Sequence, residues 1–213
     1  RMADGGPHAN GEEQEILAQY SGWGGLSDAF EPNKDSWHSE YTELKSLLTE
    51  EEYAAARSST LTAFYTPPEV IDAMYTTLRK MGVGAGTILE PSMGAGAFFG
   101  QSHSYLYEPT TRLFGVELDS LTGRIARQLY QKANIQITGF EKADLPDSFF
   151  DVVIGNVPFG DYSVVDPQYN RLHFKIHDYF FAKSIDKLRT GGIIAFITTS
   201  GTLDKKSEEV RRY

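Results

Sequence analysis

Asp151-Val152-Val153-Ile154-Gly155-Asn156-Val157-Pro158-Phe159-Gly160-Asp161-Tyr162 is the stretch on which the reading of the chain turns. Val152 to Ile154 form a short apolar β-branched run, the pattern of a buried strand. Asn156 follows where that strand ends, and its amide offers one carbonyl acceptor and one NH2 donor. Pro158 restricts Val157 to extended geometry, and Phe159 presents an aromatic face beside the amide. Acceptors next to a stacking plate, at the carboxyl end of a strand, suit a planar base with an exocyclic amine. The plainer reading is a strand that stops in an Asn-Pro turn.

Upstream segments bear on that choice. Thr66-Pro67-Pro68-Glu69 has capping-box spacing with proline at the first helical position, and Val70, Ile71, Met74 and Leu78 recur at helical spacing. Thr87 to Leu89 read as a strand that runs into Glu90-Pro91-Ser92-Met93-Gly94-Ala95-Gly96-Ala97-Phe98. Alternate glycines let a backbone approach a ligand and turn sharply into a helix. A phosphate-binding dinucleotide fingerprint requires a further glycine three residues on, where Phe99 stands, so NAD is disfavoured. Leu113 to Val116 form a second strand ending in Glu117-Leu118-Asp119, where a carboxylate is placed to accept hydrogen bonds from a ribose; a solvated acidic turn is the alternative. Ser120 to Gln131 is expected to be a helix with Leu121, Ile125 and Leu129 on one face, and Ile135 to Thr138 a third strand. The polar segment Gly160 to Ile176 reads as a functional or mobile loop over the site. Asp178 is expected to cap a helix to Leu188, with Phe181, Ser184, Ile185 and Leu188 inward. Gly191-Gly192 ends it before a fifth strand, Ile193 to Thr198. Alternating strands and helices imply a parallel sheet with ligands at the carboxyl ends of its strands.

Asn156 to Phe159 resembles the Asn-Pro-Pro-Tyr/Phe signature of amino-methyltransferases. Glu90 to Phe98 resembles their Asp/Glu-Pro-x-x-Gly-x-Gly-x-Phe motif, and Tyr65-Thr66-Pro67 their Tyr/Phe-Thr-Pro element. From residue 63 to 204 the chain resembles the γ-class N6-adenine DNA methyltransferases. Within them it resembles the methylase portion of large helicase–methylase proteins of phages and mobile elements, which share an element like Gly22-Trp23-Gly24-Gly25. The resemblance implies a Rossmann-like class I α/β sheet and S-adenosylmethionine as cofactor, held along Tyr65, Thr66, Pro67, Glu90, Pro91, Ser92, Gly94, Gly96, Phe98, Glu117, Leu118, Phe140, Glu141 and Asn156. It implies methyl transfer to the N6 amine of adenine in DNA, with Asn156, Val157, Pro158 and Phe159 catalytic. The Asn156 side-chain carbonyl and the Val157 backbone carbonyl accept the amine hydrogens, and Phe159 stacks on the extruded base. Two positions depart from the family. Val157 replaces its first proline but keeps the carbonyl, and Gly139 replaces the aspartate that binds the cofactor adenine, leaving Phe140 to stack and Glu141 or Asp144 to substitute. A protein-glutamine N5-methyltransferase and a non-catalytic cofactor-, DNA- or helicase-binding module remain as alternatives.

The 213 residues suffice for one domain with a core and an extension; 40% are hydrophobic and none is cysteine, which excludes disulfides and fits a reducing cytoplasm. No apolar run is long enough to span a bilayer. The net charge of -9 disfavours the phosphate backbone, so duplex DNA is expected to bind weakly unless a grip lies elsewhere, in helicase or target-recognition regions of a larger protein. Residues 1–62 are expected to form a helical extension. In it Glu12 to Tyr20 is a helix with Ile16 and Leu17 inward, Trp23 pins a glycine turn, Tyr41 to Leu48 is a second helix, and the Thr49–Glu52 capping box starts a third. Residues 63–213 form the methyltransferase domain, which reads as incomplete at its carboxyl end because five strands are identifiable where the fold has seven. The start at Arg1 reads as that of a fragment, and a final helix is expected over 205–213. His173 and His177 lack further ligands at metal spacing, so no metal site is expected.

Overall fold

Five short apolar segments, each ending in a polar residue or a glycine turn, form the centre of the molecule. The computed structural model describes residues 7–60, 66–84, 86–106, 109–200, 204, 212 and 213. Strands β1 (Thr87–Glu90), β2 (Arg112–Glu117), β3 (Asn134–Ile137), β4 (Phe150–Asn156) and β5 (Leu188–Ile197) pair in the order β3-β2-β1-β4-β5, all parallel. From β1 the chain winds outward through β2 to β3, then crosses back to β4 and β5. The switch point therefore lies between β1 and β4, where an α/β sheet opens a crevice at its carboxyl edge.

Both faces of the sheet are covered, which is why the middles of the central strands, Ile88–Leu89 and Val152–Ile154, are apolar on both sides. On one face, helices α4 (Pro68–Lys80) and α5 (Ala97–Tyr105) pack Ile71, Tyr75, Leu78 and Phe98 onto Ile88, Val152 and Ile154. On the other, α7 (Ile176–Lys187) packs Tyr179, Phe180 and Ala182 onto Leu89, Phe150 and Val153. Helix α6 (Ser120–Leu129) links β2 to β3.

The extension comprises α1 (Gly11–Leu17), α2 (His38–Leu47) and α3 (Glu50–Ser59) around a small cluster of Phe30, Tyr53 and Ala56. The Thr49–Glu52 capping box forms as expected, and Trp23 meets Tyr20 and Phe30 edge-on at 5.9 and 5.6 Å. The extension docks on α6. The Tyr20 hydroxyl lies 2.8 Å from Thr122 Oγ1, and Glu52 pairs with Arg124.

Several expectations about which side chains turn inward fail. Ile16 is 68% exposed, because α1 touches α6 through Gln14 rather than through its apolar residues. Thr66 caps no helix: Pro67 occupies the cap of α4 and makes no side-chain cap bond. Val70 is exposed, and Tyr75 fills the α4 core instead. In α6 the buried residues are Thr122, Gly123 and Ala126, one step round from Leu121, Ile125 and Leu129, because small residues let the helix lie close between the sheet and the extension. Helix α7 starts two residues before Asp178, has Lys175 at its cap, leaves Ile185 exposed and ends at Lys187. Gly191 and Gly192 fall inside β5.

The segment Gly160 to Ile176 is no free lid. Its Asp166 is buried against α7, accepting from the Tyr179 hydroxyl at 2.7 Å and from Lys183 Nζ at 3.1 Å, while Tyr169 and Phe174 enter the core. Burial alone raises the Asp166 carboxyl, but the Tyr179 and Lys183 donors outweigh it and hold it below the usual range. The expected final helix falls largely on residues outside those described.

Candidate active site

Because all strands run parallel, Glu90, Glu117, Thr138 and Asn156 reach the same edge of the sheet. Asn156 ends β4 beside β1, at the switch point. Its Nδ2 donates to Thr66 Oγ1 at 3.2 Å, while its backbone carbonyl accepts from Ser92 Oγ at 3.0 Å. The bond to Thr66 fixes the orientation of the amide. Oδ1 is left buried without a protein partner, an arrangement that costs free energy unless a ligand donor arrives. Val157 continues the pairing with β5, donating its amide to the Ile197 carbonyl at 3.1 Å, and buries its side chain in the core. Pro158 is half-buried, and the ring of Phe159 is 40% exposed beside it.

Across the crevice, Glu90 is 2% exposed and its Oε2 has no partner. Burial, and then the nearby Glu117 carboxylate, push the Glu90 carboxyl well above the usual range. Glu117 accepts the Gly94 amide at 2.8 Å and the Asp119 amide at 2.7 Å; burial raises its carboxyl, and these two donors only partly offset the rise. Gly94 and Gly96 take positive φ of 54° and 90°, carrying the loop over the ends of β1 and β2 and into α5. Such a conformation is costly for any residue with a Cβ.

Thr66, Glu90, Pro91, Ser92, Gly94, Gly96, Glu117, Leu118 and Asn156 are thus brought to one edge, with Leu118 76% exposed and Pro67 also exposed. Phe98 is not presented there; its ring is buried with α4 residues against the sheet. Phe140 is likewise in the core, its ring 4.9 Å from that of Phe180, so it offers no open face for stacking. Tyr65 lies outside the described residues. Glu141 occupies an unexpected place. Its carboxylate folds back over Gly139, so that a Cβ added at Gly139 would stand 2.3 Å from both of its oxygens. The alternative, Asp144, is tied through its main chain to the Gln136 side chain.

Sequence reasoning did not single out Thr66 as the partner of Asn156, nor Thr198, whose Oγ1 is buried and unpartnered just beyond β5. No local signal marks such pairs, which meet only once β4 lies beside β1 and β5. Among the described residues no group of three or more His, Asp or Glu converges to hold a metal, and no helix is long and apolar enough to cross a membrane.

Residues 47–213 match the family described as N-6 DNA Methylase. The chain is 26% identical over 191 residues to Defense against restriction protein B of Escherichia phage P1; the match takes in 87% of the chain and 7% of that protein. It superposes with a TM-score of 0.57 and 20% identity on the methyltransferase subunit of a type I restriction-modification system from Streptococcus thermophilus, over 83% of the chain and 46% of that subunit, a likeness of fold. The chain therefore spans less than half the length of either protein.

Proposed function

We propose that this chain, which belongs to the N-6 DNA methylase family, carries out S-adenosylmethionine-dependent methyl transfer to the N6 amine of adenine in DNA. The buried, unpartnered Asn156 Oδ1 at the switch point carries the reading, since it is an acceptor with nothing in the protein to accept from. The opposite wall suits the cofactor: the left-handed turns at Gly94 and Gly96 bring backbone without Cβ atoms to the strand ends, and the Glu90 carboxyl, with Oε2 unpartnered, can ionise against a cationic ligand. When bound, S-adenosylmethionine supplies an electrophilic methyl group on a sulfonium.

The residues of the chain do the rest. The adenine amine is a poor nucleophile because its lone pair is delocalised into the ring. Asn156 Oδ1 and the Val157 carbonyl accept its two N–H groups and favour the pyramidal nitrogen that develops during attack. Thr66 and Ser92 hold Asn156 from two sides, so the acceptor is fixed before the base arrives. Phe159, half exposed at the rim, is placed to stack on a base that has left the duplex. Glu117, whose two oxygens each accept one amide and keep a further lone pair, accepts the ribose hydroxyls, and Glu141, standing over Gly139, takes the part of the aspartate that the chain lacks.

Residues 1–62 act as an extension of the methyltransferase domain, 63–213. The DNA grip and target choice belong to further regions, helicase or recognition domains, of a larger cytoplasmic protein. Glutamine in a protein also presents an NH2, and a binding module would not turn over. Mass spectrometry of nucleosides and peptides after incubating the complete protein with labelled cofactor separates the three. Labelled N6-methyladenine is expected, falling about 10²–10³-fold in Asn156→Ala while cofactor affinity and melting temperature stay near the parent's. Labelled peptide without labelled DNA, or an Asn156→Ala variant as active as the parent, refutes the reading.

A further inference from the structure

Helix α6 is held at both ends by the extension, and at its carboxyl end it in turn holds the glycine loop. Gln14 Nε2 donates to the carbonyls of Gln128 at 2.7 Å and Leu129 at 3.4 Å, and the Ala9 amide donates to Gln128 Oε1 at 2.7 Å. The next residue, Tyr130, places its ring against the loop. Its hydroxyl donates to the Gly96 carbonyl at 2.7 Å, an oxygen that also accepts the first α5 amide, from Gly100, at 3.0 Å. The ring stands edge-on to Phe99 at 5.5 Å and fills the space a side chain at 96 would need: a Cβ there would lie 2.3 Å from it.

We propose that Tyr130 is a positioning residue for the cofactor: its hydroxyl fixes the Gly96 peptide in the left-handed turn that presents the Gly94–Gly96 backbone to the ligand. Glycine has the most conformational freedom to lose, so a loop with two left-handed glycines in three residues is costly to order at the moment of binding. A bond from a rigid, packed ring sets the loop beforehand, and pre-organisation appears as affinity. Burial pushes the Tyr130 hydroxyl up to about 12, so it remains a donor at any pH the protein meets. Gly96 keeps its bond to Gly100 when the hydroxyl is lost, so the fold survives and the orientation loosens.

The inference rests on the proposed function, in which this loop holds S-adenosylmethionine. Calorimetry with S-adenosylmethionine and with its demethylated product, on the full chain and on Tyr130→Phe, tests both. Binding by the parent and roughly 2–10-fold weaker binding by Tyr130→Phe is expected, the equivalent of one neutral hydrogen bond. In the complete protein KM for the cofactor rises and kcat is unchanged. Amide exchange accelerates at residues 94–97 while α5 and α6 stay protected. A parent that binds neither ligand overturns the cofactor reading and this inference with it. A parent that binds, with Tyr130→Phe of equal affinity, overturns this inference alone. So does exchange that accelerates throughout α5 and α6, which marks the hydroxyl as a general structural bond.

Discussion

Glu90 is an acid enclosed by the fold, 2% exposed and with one carboxyl oxygen unpartnered. Enclosed at the end of β1 and facing Glu117, it holds its proton well above the ordinary carboxyl value of 4.5 when no ligand is present. A group raised in this way stabilises the ligand-free fold fully below its unfolded pKa, and the contribution is lost as pH rises from there toward the folded value. Binding runs the other way. A ligand carrying ammonium and sulfonium charges favours the ionised carboxylate, so binding releases a proton and affinity rises with pH. Titration calorimetry in buffers of different ionisation enthalpy is expected to show proton release with S-adenosylmethionine and less with the demethylated product, which lacks the sulfonium. In Glu90→Gln the pH dependence is expected to flatten; an unchanged profile in that variant sinks the assignment. At this scale the arrival of Glu90, Glu117 and Asn156 at the ends of their strands is legible, because each directly follows an apolar run in the chain. The Thr66–Asn156 bond is not, since 90 residues separate the partners. Phe140 reads as a stacking ring in sequence, yet the apolar side of α7 claims it.

Among the elements, the strands were the most legible, because β-branched runs in a doubly covered sheet tolerate little else. Helix faces were read less well wherever a partner other than the sheet does the burying, as α6 shows between the sheet and the extension. The segment 160–176 misled for a different reason. Its polar composition suggests mobility, but Asp166 has its partners Tyr179 and Lys183 on α7, and a paired ion is as much a core contact as an apolar one. Removing one member of such a pair leaves the other charge buried. Asp166→Ala is therefore expected to destabilise the protein by about 3–5 kcal/mol, measured by urea unfolding. Because the Asp166 carboxyl is held below its ordinary value, its stabilisation is present above the unfolded carboxyl pKa and is lost as pH falls through the folded one. A loss under about 1 kcal/mol, the value of an exposed pair, shows that the segment does not depend on this anchor.

For the molecule as a whole, the net charge of -9 governs how it meets DNA. Polyanion affinity comes largely from releasing counterions to Lys and Arg, and here acids outnumber bases 29 to 20. Gel-shift titration of these 213 residues at moderate salt is expected to show weak duplex binding with little sequence preference. Tight, sequence-selective binding refutes the view that the grip lies in other regions. Composition alone carries this expectation, without any fold. The docking of the extension on α6 was not legible, because its partners, Tyr20 with Thr122, Glu52 with Arg124 and Gln14 with the Gln128 carbonyl, stand 72 to 114 residues apart in the chain.

The carboxylate of Glu141 stands in the space that Gly139 leaves open, two positions away in the chain and none in the fold. One volume beyond the end of β3 is thus shared by two positions, and whichever side chain fills it sets the charge there. A Cβ introduced at 139 would meet only the far end of a flexible side chain, so Glu141 would swing aside to admit it and the charge at that spot would move with it.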